Sequence, residues 1–231
     1  MSNRMLRPGN WLYRFLKRAF DIICSVALII PVGLVIGVCS IIIKIEDHGP
    51  VFYISDRIGR YGKIFKMFKL RSMKVNSPDI RLPDGTTYNS AEDIRVTRFG
   101  RFARKMSIDE LPQILNILKG DMSFVGPRPD TPIGAAAYTA EEKIILTVRP
   151  GITGYNQATN RNSVLTKEKL KNDIYYVEHL SLLFDIKIIF MTIVAVLRCE
   201  NVNRSDAEEE NANVPDIDAV VPSIGIKQIS K

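Results

Sequence analysis

Ser107-Ile108-Asp109-Glu110-Leu111-Pro112-Gln113 sets two carboxylates side by side, and Gly126-Pro127-Arg128-Pro129 follows within one short helix. Adjacent acids repel and titrate as a coupled pair, so both stay ionised only where positive charge compensates them. Arg101, Arg104, Lys105 and Arg128 place that charge nearby in the chain. The combination reads as phosphate chemistry, with a metal ion and a phosphoryl group as the reason for keeping both acids charged. A structural reading competes. Ser107-x-x-Glu110 matches a capping box and Asp109 suits the positive end of a helix dipole, devices that contribute about 0.3 to 2 kcal/mol each. Pro112 is comfortable at the first helical position and clashes one turn further in. This predicts a helix from about Leu111, with Asp109 and Glu110 at its mouth, where free N–H groups attract anions. The motif alone does not choose between capping and catalysis.

The elements that must position these residues are spread over 231 residues, enough for one domain with a substantial core. A net charge of +7 calls for an anionic partner, with nucleic acid, lipid headgroups and nucleotide-sugars all qualifying. The three cysteines, Cys24, Cys39 and Cys199, form no disulfide framework and no metal spacing. Residues 1–21 are basic and aromatic, as a membrane-surface segment is. Ile22 to Ile43 then runs uncharged, and as a straight helix it would reach ~33 Å, enough to cross a bilayer. The run is too long for a cleavable signal peptide; a buried helix of a soluble protein is the competing reading. Pro31 lies near its middle, frees the carbonyl of Ala27 and predicts a kink. Both flanks are heavily positive, so both ends prefer the cytoplasm; a straight span does not satisfy this, a re-entrant helix that bends at Pro31 does, and an ordinary signal anchor with a Pro kink is the competing reading.

Residues 50–56 and 63–71 flank Gly59-Arg60-Tyr61-Gly62 and read as a β-hairpin, with Lys63, Lys66 and Lys69 on a solvated edge near lipid headgroups. Residues 75–93 read as an exposed loop. Arg95, Arg98, Arg101 and Arg104 precede the acid pair, and at helical spacing Arg98, Arg101 and Arg104 or Lys105 share a face suited to phosphate. Leu111, Ile114, Leu115 and Leu118 form a packing stripe. A short helix over 141–148 leads to a polar loop over 153–162 whose one aromatic, Tyr155, could stack a base. Residues 167–179 form an amphipathic helix, and His179 reads as a surface residue. Residues 182–198 are too interrupted to span and are expected against the core or the membrane interface. The acidic tail from Asn203 is expected to be disordered.

Assembled, these blocks resemble the bacterial sugar transferases, the monotopic polyprenyl-phosphate phosphoglycosyl transferases. The residues that carry the resemblance are Lys17-Arg18-Ala19-Phe20-Asp21-Ile22, Gly49-Pro50-Val51-Phe52, Phe68-Lys69-Leu70-Arg71-Ser72-Met73 and Arg95-Val96-Thr97-Arg98-Phe99-Gly100-Arg101-Phe102. They continue with Asp109-Glu110-Leu111-Pro112-Gln113, Lys119 to Pro129 and Arg149-Pro150-Gly151-Ile152-Thr153-Gly154. The resemblance implies transfer of a sugar 1-phosphate from a UDP-sugar to undecaprenyl phosphate, with release of UMP, through a covalent phosphosugar on Asp109. It further implies that Glu110 helps to hold Mg²⁺, with Asp109 as the second metal carboxylate, or deprotonates the lipid phosphate. Arg104 and Arg128 would bind phosphates, and Gln157 and Arg161 would lie on the uridine side. Two departures stand out: Ile30 replaces the family's frequent Ser before the kink proline, and Asn160 replaces a Gly in the uridine-side segment. No multi-span region precedes the apolar run, so the chain resembles the family's minimal form.

The expected fold is α+β and mainly helical. A basic entry segment and re-entrant membrane helix occupy 1–48. A compact catalytic domain with a small β-hairpin and interfacial amphipathic helices occupies 49–200, and a disordered tail 201–231. The expected setting is the cytoplasmic face of a bacterial inner membrane. The partners would be a UDP-sugar, undecaprenyl phosphate and inner-membrane lipids, with a homodimer left open and no nucleic acid expected. A catalytically silent membrane scaffold that binds anionic lipid or nucleic acid is the alternative.

Overall fold

The computed structural model describes residues 11–78, 80, 93–160 and 166–198. Arg161, Cys199, the first ten residues, most of the predicted loop and the predicted disordered tail lie outside them.

One long helix dominates. α1 spans Trp11–Asp47, and Pro31 lies inside it without ending it. Its most apolar stretch has a mean hydropathy of 2.9 and is 11% buried, so this helix is long and apolar enough to cross a membrane by length and composition. Ile23, Ile30, Leu34, Val38 and Ile41 stay exposed.

Both ends of α1 nonetheless pack on the same body. Near its start, Arg18 donates to the carbonyls of Ile117 (2.7 Å) and Leu118 (3.0 Å), while Asp21 accepts from Ser123 Oγ (3.0 Å) and from the Phe124 N–H (3.1 Å). Near its end, Cys39 and Ile43 pack with Leu70, Phe99 and Ala103. Glu46 there accepts from the backbone N–H groups of Arg98 (2.7 Å) and Phe99 (3.2 Å).

The predicted hairpin is present. β1 (Phe52–Ile58) pairs antiparallel with β2 (Ile64–Leu70), Ile58 opposite Ile64, around a 3₁₀ turn at Arg60–Gly62 where Tyr61 takes a left-handed φ of 61°. In β2 the side chains alternate, and Phe65 and Met67 go inward with Ile117 and Met122. α2 (Arg98–Lys105) starts at Thr97, whose hydroxyl accepts from the Gly100 N–H. A Cβ on Gly100 would collide with the Ser72 carbonyl, so glycine lets α2 lie directly on the end of the hairpin.

After a 3₁₀ segment at Ile108–Gln113, α3 (Ile114–Lys119) ends at Gly120, whose left-handed φ of 90° lets its N–H close on the carbonyls of Asn116 and Ile117. On α3 the inward side chains are Ile114, Asn116 and Ile117. Leu115 is 44% exposed, so the predicted Leu111–Leu118 stripe is only partly the packing face. Asn116 is fully buried; it donates to the Lys66 carbonyl (2.7 Å) and accepts from the Phe68 N–H (3.1 Å), joining α3 to the free edge of β2.

β3 (Ser123–Val125) and β4 (Gly151–Thr153) form a short parallel pair, where a Cβ on Gly126 or Gly151 would strike the opposite backbone. Between them lie α4 (Pro132–Ala136) and a 3₁₀ segment at Glu142–Thr147 in place of the predicted short helix. α5 (Tyr155–Thr159) occupies the predicted polar loop, and α6 (Thr166–Glu178) and α7 (Leu182–Arg198) follow. α7 buries Asp185 and Ile188 and exposes Leu183, Ile186, Phe190, Ile193 and Leu197 along one side.

Candidate active site

The acid pair sits where α2 hands the chain to α3. Ser107 adopts a left-handed φ of 57°, and its side chain makes no cap hydrogen bond, so the capping box suggested by the sequence does not form. The left-handed residue costs about 1 kcal/mol and turns the chain sharply. Asp109 and Glu110 then lie within the 3₁₀ segment, with Pro112 in the same segment, and the α-helix begins only at Ile114. The acids are therefore part of a tight turn and do not stand before a helix starting at Leu111. The tighter turn forms because Pro112 has no N–H to donate into an α-helical ladder.

The two acids have different surroundings. Glu110 is gripped by two cations: Oε1 receives Lys69 Nζ at 2.8 Å and one Arg128 nitrogen at 2.7 Å. Burial pushes its carboxyl pKa up, but Arg128 and then Lys69 override that and hold it well below the usual carboxylate range. Glu110 in turn pushes the Arg128 guanidinium up. Asp109 is buried and, among the described residues, its carboxylate makes no hydrogen bond or ion pair. Burial pushes its carboxyl upward; Lys69 pulls it down, Glu110 pushes it up, and Arg104 and Arg128 pull it down, leaving it raised. One acid is thus clamped and ionised, while the carboxylate of its neighbour is unpaired and acted on by three cations.

Of the arginines before the pair, only Arg104 reaches the site. Its Nε donates to Ser72 Oγ (2.9 Å), and the charge of Asp109 acts on it against the pull of burial. Arg95 is committed elsewhere, in a buried two-pronged pair with Asp93 and a bond to the Pro78 carbonyl. Arg98 and Arg101 are exposed.

Arg128 is aimed by the backbone contact between Gly126 and Gly151 and by its flanking prolines. Gln157, on α5, has both amide atoms buried without partners, and its Oε1 lies close to Gly154, which itself abuts Gly126. Buried orphaned amide atoms are costly, so this side chain is suited to a ligand that supplies both a donor and an acceptor. Tyr155 is not free to stack a base: its ring packs against Tyr175 (5.3 Å) and Phe184 (5.4 Å). His179 is an exposed residue stacked on Tyr175, as its isolation in the sequence implied.

The structure adds residues that the motifs did not supply. Lys69 lies on the inward face of β2, not on a solvated edge, and counting by two from Phe65 and Met67 would have found it. Asp173 on α6 is fully buried near Arg128, Lys169 and Asp130, with Oδ1 unpartnered; burial pushes its pKa up to about 7. No sequence signal marked it.

Among the described residues there is no cluster of three or more potential metal ligands. The donor set is two hard carboxylates, one already holding two cations. That suits a magnesium ion shared with substrate phosphates, a common way of binding it, and does not suit an all-protein cage.

An unpaired carboxylate in a cationic turn, on a chain that also carries a helix long and apolar enough to cross a membrane, is an arrangement suited to phosphoryl chemistry. The chain belongs to the bacterial sugar transferase family, whose model matches residues 12–199. It is 41% identical over 197 residues to an undecaprenyl-phosphate galactose phosphotransferase of Salmonella typhimurium, covering 80% of this chain and 41% of that protein. It is 36% identical to the uncharacterized sugar transferase EpsL of Bacillus subtilis, covering 83% of this chain and 92% of that protein. It is 37% identical to the exopolysaccharide production protein ExoY of Sinorhizobium fredii, covering 78% and 84%. The chain thus spans less than half of the first of these relatives and most of the other two.

Proposed function

We propose that this chain transfers a sugar 1-phosphate from a UDP-sugar to undecaprenyl phosphate, releasing UMP and starting a surface glycan. The observation that carries the reading is the contrast within the acid pair, Asp109 unpaired and Glu110 clamped. An Asp109 oxygen attacks the phosphorus that bears the sugar, forming an aspartyl phosphate ester; the bond to the bridging oxygen breaks, and its electron pair leaves on UMP. An oxygen of undecaprenyl phosphate then attacks the same phosphorus and expels the Asp109 carboxylate. Arg104 and Arg128 hold phosphate oxygens, and Lys69 with Arg128 keeps Glu110 charged. Mg²⁺, held by Asp109, Glu110 and the substrate phosphates, would supply charge neutralisation at the diphosphate. Gln157 binds the nucleoside through its unpartnered amide, and the family resemblance assigns Arg161 to the same role.

The working face is the cytoplasmic side of the inner membrane, with α1 re-entrant. As a straight helix, α1 would set Arg18 and Ile43 about 37 Å apart at 1.5 Å per residue. Both pack on one body, in which α3 and β2 are hydrogen-bonded neighbours. This supports a bend, and Pro31, lacking an N–H for the Ala27 carbonyl, is the residue to make it.

The test is UMP release from a panel of UDP-sugars with undecaprenyl phosphate and Mg²⁺. Wild type should turn over one donor and form a phosphosugar adduct on Asp109, whereas a folded Asp109→Asn should do neither. Near-normal turnover by Asp109→Asn ends the nucleophile assignment. Silence of folded, membrane-bound wild type across the panel would favour the scaffold reading.

A further inference from the structure

A second basic site lies at the opposite end of α3 from the acid pair. An open cavity forms where the start of α1 meets the β1–β2 turn and the segment before β4. Arg14, Lys17, Arg60 and Arg149 line it, with Tyr13 and Tyr61. Asp21 is the carboxylate on its wall, and its Oδ1 is already bonded to Ser123 and Phe124, with Oδ2 buried and unpartnered. Lys17 is neutralised by Asp185 at 2.8 Å. Among the described residues, Arg14, Arg60 and Arg149 make no ion pair. Arg60 lies over the Tyr61 ring at 4.7 Å, and among the described residues the Arg149 side chain bonds only through Nε, to the Gly120 carbonyl at 2.9 Å. Burial, followed by Arg60 and Arg18, pushes the Arg149 guanidinium down from its ordinary value.

Three half-buried guanidiniums around one cavity repel one another and leave most of their donors unused, an arrangement that a phosphate would relieve with charge-assisted bonds. Beside the cavity, the same turns of α1 expose Trp11, Leu12, Phe15 and Leu16, an aromatic and apolar face of the kind that lies at a membrane interface. We propose that this cavity binds a phosphate-bearing anion, with the phosphate of an anionic lipid headgroup as its source at the membrane surface. The site is separate from the catalytic one: none of Lys69, Arg104, Asp109, Glu110 or Arg128 lines it.

Trp11, the sole tryptophan of the chain, is a built-in reporter three residues from Arg14. The full chain is reconstituted in phosphatidylcholine vesicles containing a minor fraction of either brominated phosphatidylglycerol or brominated phosphatidylcholine. Quenching of Trp11 should be several-fold stronger with the brominated anionic lipid. That preference should disappear in Arg60→Gln/Arg149→Gln. It should persist in Arg98→Gln/Arg101→Gln, which removes equal charge from the exposed face of α2. Arg60→Gln alone, whose side chain makes only a ring contact, should show a partial loss if the double variant fails to fold. Equal quenching by the two lipids overturns the lipid assignment, and so does equal loss in the α2 control. Raised thermal stability of wild type, but not of the Arg60 variant, in inorganic phosphate would then keep the anion site and reassign it to soluble phosphate. Absence of both effects overturns the site.

Discussion

Replacing Asp173 by asparagine tests whether α6 carries its acid in the neutral form. The side chain is 1% exposed, and burial raises its pKa from 3.8 to about 7, with Asp130 pushing the same way and Lys169 and Arg128 pulling against it. A buried acid with a raised pKa binds its proton more tightly in the folded chain than in the unfolded one. Stability therefore falls as pH rises from about 4 to about 7, and is constant above that. At 1.36 kcal/mol per unit, the loss reaches about 4 kcal/mol by pH 8. The amide of Asp173→Asn would imitate the neutral acid in shape and could not ionise. The variant should match wild type near pH 4 and exceed it by up to about 4 kcal/mol at pH 8, or roughly 8–16 °C in melting temperature for a chain of this size. The assay is thermal unfolding in detergent at pH 4.5, 6, 7 and 8. Asp109 also has a raised pKa, but it titrates in both proteins and cancels in the difference. A wild-type minus variant difference that does not change with pH refutes the reasoning.

Lys69→Met removes one of the two cations on Glu110, and unpairing part of a buried charge cluster costs about 3 kcal/mol, or ~10²-fold in kcat/KM, read by UMP release. Arg128→Lys keeps the charge but loses the fork, and should lower kcat/KM by at least ~10-fold while leaving the melting temperature nearly unchanged. Asn116→Ala leaves the Phe68 N–H and the Lys66 carbonyl without their partner and should cost about 2–5 kcal/mol in denaturant unfolding. Cys24 and a cysteine placed at Lys44 should both be labelled from the cytoplasmic side, and Pro31→Leu should move the Lys44 position toward periplasmic labelling; an unchanged pattern in that variant would remove Pro31 as the cause of the bend.

The parts legible in the sequence were those governed by local rules. Hydropathy found α1, the alternation about Gly59-Arg60-Tyr61-Gly62 found the hairpin, and adjacency alone drew attention to Asp109 and Glu110. Local rules failed where a long-range contact decided the outcome. Ser107-x-x-Glu110 has capping-box spacing, but Lys69 from β2 and Arg128 from beyond β3 claim the glutamate, and the serine turns left-handed instead. Tyr155 reads as available for stacking because no local rule links it to Tyr175 and Phe184, twenty and more residues away, which pack against its ring. Arg95 and Arg104 are alike in a basic run; only Asp93 folding back on the first assigns it to structure and leaves the second for the site.

The long apolar helix α1 has a part in the site. The segment from Arg98 to Lys119 contains α2, the acid-bearing turn and α3, and α1 satisfies its open backbone groups at both ends. Glu46 accepts from the N–H groups of Arg98 and Phe99 at the start of α2, and Arg18 donates to the carbonyls of Ile117 and Leu118 at the end of α3. These are the orphan groups that every helix terminus must place somewhere, and a negative side chain at the first end and a positive one at the second also match the helix dipoles. The two contacts come from opposite halves of α1, so the spacing between Arg18 and Glu46 bears directly on the geometry of the turn between them. On the proposed re-entrant geometry, straightening α1 at Pro31 would have to release one clamp. If so, topology and turnover are coupled, and Pro31→Leu should weaken UMP release in proportion to the fraction of molecules whose labelling pattern changes.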